Sequence, residues 1–472
     1  MNSSKLISLL KTFSNKELKA LKKFVESPFH NEQMNVTQLY HYIYEGAPQF
    51  NEKYLLKEKA WNRLYPKEKF KDIRLRRVMS DLLKVCQDFV AWKMYRAEPM
   101  QVQTNLLKYY RMHQLPKQFN TVINDIEKYE KKHHKQDIWH HFHKLRINNE
   151  ITNHISQQHI RTTEPNLQEI SNHLDAFYLI NKLKCCCSIF NYKNLALVEY
   201  QVPMIREVLE HLEKKDYSHI PLVVIYHKSL LTLLDPDEPQ HFQDLKKTLL
   251  VANASLAQEE VVDMFVLARN YCIKQANQGN KQYLHDLFDL YESELKMGIL
   301  LNNDEISPFA YKNIVTLGIK LQKYDWTKAF IEQYKAHLAK EFRESTHAFN
   351  LARLHFDKRE FEEVIALLNQ MEYREIFLEL SAKNLLMKTY YETEEYEVLY
   401  SFLDSFQMFI RRKKKTLGYH CTGYLNLIKA TRQLVRLQYT DAEQVEKTVL
   451  KLEKTKEIVD KPWVMEKLSL LV

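Results

Sequence analysis

Imidazoles are the commonest metal ligands, and this chain sets His133, His134, His140, His141 and His143 close together with Asp137 among them. On a helix Asp137 and His141 stand four apart, and His140 and His143 three apart, so each pair shares a face. No H-E-x-x-H or other recognised metal spacing accompanies them, and the group reads as a solvated polar face before it reads as an ion site. Cys185, Cys186 and Cys187 are adjacent, and helix neighbours point about 100° apart, so three in a row cannot converge on one metal. They read as buried thiols acting as small hydrophobes. Arg74, Arg76, Arg77 and Lys84 could present cations to phosphate, although Asp72 and Asp81 lie among them. The later run from Arg411 to Lys415 sits at a helix end, where positive charge offsets the negative terminus. Walker A, G-x-G-x-x-G and G-x-S-x-G signatures are all missing, which leaves catalysis without a foothold and predicts no cofactor and no metal.

The elements that must carry these residues are helices. The 472 residues include only 6 Gly and 12 Pro, and no proline falls between Phe309 and Lys461. Nucleotide-binding α/β folds depend on glycine for tight turns and close phosphate approach, so the scarcity counts against them. A chain of this length exceeds one compact core and predicts several domains or a solenoid that keeps adding layers. The charged N-terminus lacks the apolar core of a signal peptide, and the longest apolar run, Ile220 to Tyr226, is broken by Pro221. Six cysteines without a spaced framework fit reduced thiols, so the expectation is a cytoplasmic protein with no membrane contact. Residues 1–100 carry 19 Lys and Arg against 11 Asp and Glu, so nearly all of the net +9 lies there.

Three regions are expected: a basic helical domain over 1–99, irregular hairpins over 100–240, and regular helical repeats over 241–472 with a cap near Lys451 to Val472. Ser14 and Glu17 spell a capping box ahead of Leu18, Leu21, Phe24 and Val25, and Ser27-Pro28 ends that helix. Further helices are predicted around Val36–Tyr44, Leu55–Leu64 and Asp72–Tyr95, the last with an apolar stripe that includes Ile73, Leu75, Val78, Met79 and Leu82. Pro116 reads as a first-turn proline, longer helices are expected at 136–159 and 166–190, and Asp235 to Pro239 reads as a loop.

Trp326, Phe361 and Tyr396 stand 35 residues apart in succession, each opening the second helix of a pair. Ser307-Pro308 starts the first pair, which splits at Lys323-Tyr324-Asp325; the next pairs are read from Asn350 and Asn384. Upstream, Gly279 supplies a turn and Tyr283 the aromatic position of a longer unit. A fixed period of this length marks hairpins that cannot bury their apolar faces until a neighbour stacks on them.

With Ala329, Val364 and Leu399 at helix-packing positions, and Leu351-Ala352 where a leucine and a small residue are expected, residues 305–406 resemble tetratricopeptide repeats. Leu317 and Met387 stand where that family has a small residue. The whole chain also resembles a family of uncharacterised bacterial helical-repeat proteins, from which no activity carries over. The tetratricopeptide resemblance implies an all-α antiparallel helix-pair solenoid whose groove is lined by first helices, placing Phe349, Arg353, Asn384 and Lys388 on an exposed binding surface. That mixture suits an extended or acidic peptide. The expected function is thus a non-enzymatic scaffold for a protein or peptide partner. The alternative is a nucleic-acid-binding regulator using Arg74, Arg76, Arg77 and Lys84.

Overall fold

The computed structural model describes residues 1–47, 49–52, 54–133, 137–157, 164, 166–193, 200–251, 258–373, 375–418, 420–438, 442–455 and 457–471. The fold is all-α; among the described residues the strands are one short pair, Leu301–Asn302 antiparallel to Glu305–Ile306. Two compact units divide the chain, Met1–Lys182 and Leu183–Val472. The joints read from the sequence at 99/100 and 240/241 fall within these units.

The first unit begins with α1 (Lys5–Leu10), α2 (Asn15–Glu26), α3 (Met34–Glu45), α4 (Lys57–Leu64) and α5 (Asp72–Arg96). The Ser14 hydroxyl accepts from the Glu17 amide at 3.3 Å while the Glu17 carboxylate accepts from the Ser14 amide at 2.7 Å, which is the reciprocal cap read from the sequence. The helix thus started buries Leu18, Leu21, Phe24 and Val25. The Ser4 hydroxyl accepts from the Ile7 amide at 3.4 Å and so caps α1 without a reciprocal bond, a helix too short for periodicity to reveal. Leu6 through Phe89 contribute to one apolar core, with Trp61 and Tyr40 fully enclosed. Ile73 is a departure: at 80% exposed it lies off the α5 stripe, in the first turn of that helix. The unit continues through α6 (Pro99–Met112), α7 (Pro116–Lys132), α8 (Ile138–Gln157) and the opening of α9 (Leu167–Lys193). A smaller core of Leu107, Phe119, Val122, Ile126 and Ile147 joins α6, α7 and α8.

The second unit contains α10 (Ile205–Lys214), α11 (Pro221–Leu234), α12 (Pro239–Val251), α13 (Gln258–Asn277), α14 (Tyr283–Met297), α15 (Pro308–Lys320), α16 (Tyr324–Gln333), α17 (Arg343–Asp357), α18 (Phe361–Asn369), α19 (Ile376–Glu392) and α20 (Tyr396–Arg412). It closes with α21 (Lys414–Leu417), α22 (His420–Leu437), α23 (Ala442–Lys454) and α24 (Lys461–Ser469). From α11 to α20 each helix packs against the next, and α15, α17 and α19 also pack in succession. The second helices α16, α18 and α20 alternate with them, so hairpin follows hairpin.

The repeat is written most clearly in the turns. Gln322, Arg359 and Glu394 hold left-handed backbone conformations, with φ of 55°, 61° and 59°. The amide after each bonds back five residues, Lys323 to Gly318, Glu360 to His355 and Glu395 to Tyr390, at 2.9–3.1 Å. This is the Schellman closure of a helix C-terminus, and it recurs at Gln114 in the first unit and at Gly279. Phe361 and Tyr396 open their helices as expected, but Tyr324 takes that place in α16 and Trp326 stands two residues further on. The even spacing of the three rings therefore differs from the turn register, which steps by 37 and then 35 residues. The rings still face protein: Trp326 lies 4.5 Å from Phe288 between ring centroids, Phe361 5.6 Å from Phe356, and Tyr396 6.3 Å from Tyr391.

Register also explains a second departure. Val364 and Leu399 are fully buried, whereas Ala329 is exposed and Thr327, which stands as far past its turn as they do past theirs, is fully buried in its place. On the facing helix the close approach falls at Gly318 instead of Leu317: a methyl group there would come within 2.1 Å of Thr327 Oγ1.

Candidate functional site

The four groove residues named from the sequence lie on two consecutive first helices, Phe349 and Arg353 on α17 and Asn384 and Lys388 on α19. Residues four apart stack along one helix face, so each pair lines the same side. Their expected exposure is not what the structure has. Phe349 is 5% exposed within the apolar core, Asn384 is 9% exposed, and the Lys388 side chain is 13% exposed. Helices α17, α18 and α20 pack on α19, and side chains of α24 and the turn that starts it reach Asn384, Lys388 and Glu392 from the C-terminal end of the chain.

Asp460 is the centre of this arrangement. Its carboxylate accepts a hydrogen bond from Asn384 Nδ2 at 2.7 Å and pairs with the Lys388 ammonium on the same oxygen. Burial alone would push the carboxyl up, but Lys388, Asn384 and the nearby Arg353 hold it below the usual aspartate range. Arg353 is pulled down by its own burial, with Asp460 and then Asp357 opposing that pull. Its guanidinium stands 5.9 Å from the Phe349 ring and 3.5 Å from Asn350 Oδ1. A third cation, Lys312 on α15, is lowered by the protein around its stem and then by the Arg353 charge. One cation thus comes from each of three successive first helices.

The side chains that sequence reasoning missed all belong to the returning segment and its seat. Trp463 Nε1 donates to Glu392 Oε1 at 3.2 Å, Lys467 pairs with both Glu392 oxygens at 2.7 and 2.9 Å, and the Trp463 ring meets Tyr391 edge-on at 5.4 Å. Lys388 Nζ also lies 5.5 Å from the Trp463 ring centre. Val464 and Leu468 enter the same apolar core as α22, and the Val459 amide donates to Gly423 O at 3.3 Å. Asp460 occupies the N-cap position of α24 with φ of 53°, yet its carboxylate caps no amide of that helix. The sequence Asp-Lys-Pro-Trp signals a helix start, but nothing local signals that the cap carboxylate is turned away to another helix. Asn384 Oδ1 is buried without a hydrogen-bond partner, so the site holds a spare acceptor beside its donor.

The other candidates resolve differently. Arg74 pairs with Glu68 at 2.7 Å and lies 4.0 Å over the Tyr65 ring; Arg76 pairs with Asp72 at 2.7 Å and Lys84 with Asp81 at 3.8 Å. Arg77 is exposed on the same helix. The histidines are not a solvated face. His141 and His143 are buried, His141 Nδ1 lies 3.0 Å from His173 Nδ1 on α9, and burial lowers the pKa of His140, His143 and His173. The even mix of small helical steps in α8 hides this in one dimension, because helix-face identity there is decided by α6 and α9. His133 stacks on Tyr129, and His134 lies outside the described residues. Among the described residues no group of three or more His, Cys, Asp and Glu is arranged to hold a metal ion. Cys186 and Cys187 are buried as expected, whereas Cys185 is exposed. No helix among the described residues is long and apolar enough to cross a membrane.

Searches against protein-family models, curated proteins and solved structures return no match to this chain.

Proposed function

We propose that this chain is a non-enzymatic cytoplasmic scaffold, a tetratricopeptide-like solenoid that holds an acidic segment of a protein partner against its first helices. The observation that carries this reading is the convergence of Arg353, Asn384 and Lys388 around a single carboxylate. Cations this enclosed have lost most of their hydration and gain from an anion far more than exposed ones do. The spare Asn384 acceptor suits a backbone or side-chain N–H of an extended segment beside that anion.

The test is an array of peptides of varied charge probed with the full chain. Enrichment of Asp- and Glu-containing peptides, erased by Arg353→Glu and by Lys388→Glu, is the expected result. Binding indifferent to peptide charge, or unchanged in both variants, would discard the reading. A labelled DNA or RNA oligonucleotide run in parallel addresses the basic α5 surface. Tight binding that falls steeply with salt and is lost on Arg76→Glu or Arg77→Glu would instead make the chain a nucleic-acid-binding regulator.

A further inference from the structure

We infer that α24 is a ligand held in cis on the Arg353–Asn384–Lys388 site, and that the external partner presents the same chemistry: a carboxylate at a helix start followed three residues later by an indole. This rests on the groove reading above and specifies its occupant.

The segment packs its apolar side on α22 and α23 and reaches α19 through polar side chains, as a ligand meets a receptor. Asp460 reaches 76 residues back in the chain to Asn384, and Trp463 and Lys467 reach Glu392 over similar separations. Three of its side chains make polar contacts with α19: the acid with Lys388 and Asn384, the indole N–H with Glu392, and the ammonium with Glu392. These fall on Asp460, Trp463 and Lys467, which a helix sets on one face at steps of three and four. Asp460 also holds a left-handed backbone that a non-glycine residue adopts at a cost, and it gives up the capping bond that aspartate ordinarily makes. A residue that served only to start α24 would make that bond. Here the carboxylate is spent on α19 instead.

Tethering sets the consequence. A segment joined by a short connection competes at an effective concentration near the millimolar range, so an external peptide of equal intrinsic affinity binds weakly while α24 is docked. Loosening α24 must therefore strengthen binding in trans, which a purely structural cap would not do.

The experiment uses the full chain and a fluorescein-labelled peptide of residues 457–471, read by anisotropy. Asp460→Asn, close to isosteric and compatible with the left-handed conformation, removes the charge that holds the cis segment. The Asp460→Asn chain is expected to bind the wild-type peptide at least tenfold more tightly than the wild-type chain does. Adding Lys388→Glu to it is expected to abolish that gain, and a peptide carrying Asp460→Asn is expected to bind at least tenfold more weakly. Hydrogen exchange supplies a second readout: α24 amides should exchange at least tenfold faster in Asp460→Asn while those of α17 and α19 stay protected. Equal peptide affinity in the two chains, or unchanged exchange of α24, overturns the inference. If the peptide array still enriches acids that depend on Arg353 and Lys388 in the wild-type chain, the groove reading survives that failure. If neither array nor peptide finds the site, both fall.

Discussion

Arg74, Arg76 and Lys84 on α5 and Arg353 and Lys388 on α17 and α19 are the same chemical groups in two settings. On α5 the partners are acids nearby in sequence, Glu68, Asp72 and Asp81, and the side chains reach water. Pairs of that kind exchange hydration for a weak, screened attraction and contribute little. On α17 and α19 the cations are enclosed and meet a carboxylate from the far end of the chain. Removing the carboxylate there leaves cations that water reaches poorly, Lys388 being 13% exposed, so the loss is large even where the net value of the pair is small. A count of basic residues ranks the N-terminal hundred residues first; desolvation reverses the order.

Trp463→Ala should have the largest effect. It empties a buried aromatic site, unpairs Glu392 and costs about 3–5 kcal/mol in chemical denaturation of the second unit. Retention of wild-type stability would mean that α24 is not seated as described. Asp460→Asn should cost about 2 kcal/mol by leaving the enclosed Lys388 ammonium without its anion, against about 0.5 kcal/mol or less for Arg76→Met. Equal losses in the two would erase the distinction between the settings.

The pH dependence separates them further. Asp460 and Glu17 both titrate below their unfolded values, Glu17 at about 2 because of its bonds to Lys93 and Ser14. Folding is therefore favoured by the ionised carboxylate. That contribution is complete above the unfolded carboxyl range and is lost as pH falls through the folded value. The stability difference between wild type and Asp460→Asn should shrink as the solution is acidified below about pH 4. Raising salt to 1 M should remove the corresponding effect of Glu17→Gln while leaving much of that of Asp460→Asn. Identical salt responses would show the Lys388 ammonium to be as hydrated as that of Lys93. The smallest effect is a gain: Arg359→Gly relieves a left-handed non-glycine residue and should stabilise the hairpin by about 0.5–1 kcal/mol, measurable as a shift in the denaturation midpoint.

Much of the helical layout could be read in one dimension because its causes are local. Ser14 with Glu17, Pro116, Ser307 with Pro308, and Asp235 to Pro239 start or interrupt helices through bonds and steric limits within a few residues. The resemblance to tetratricopeptide repeats names Arg353, Asn384 and Lys388, and the structure brings these three around one carboxylate. They are less exposed than expected because neighbouring helices pack on α17 and α19 and Asp460 joins them, and no spacing rule links residue 460 to residues 353–388. The two-residue offset of Trp326 has a different origin: the turns step by 37 and then 35 residues while the rings step by 35 twice, so an even ring period does not fix the turn.

From the sequence alone follow many of the helices, the Ser14 capping box and successive helix hairpins, since propensity, periodicity and turn chemistry act over a few residues, whereas Ser307, read as a cap, makes no side-chain capping bond. Tertiary structure decided which faces lost their water: Ala329 gained it, His141 and His143 lost it, and Arg353 and Lys388 were drawn around Asp460. Hydration depends on what packs on top, and for these side chains the covering atoms belong to helices that sequence order does not identify.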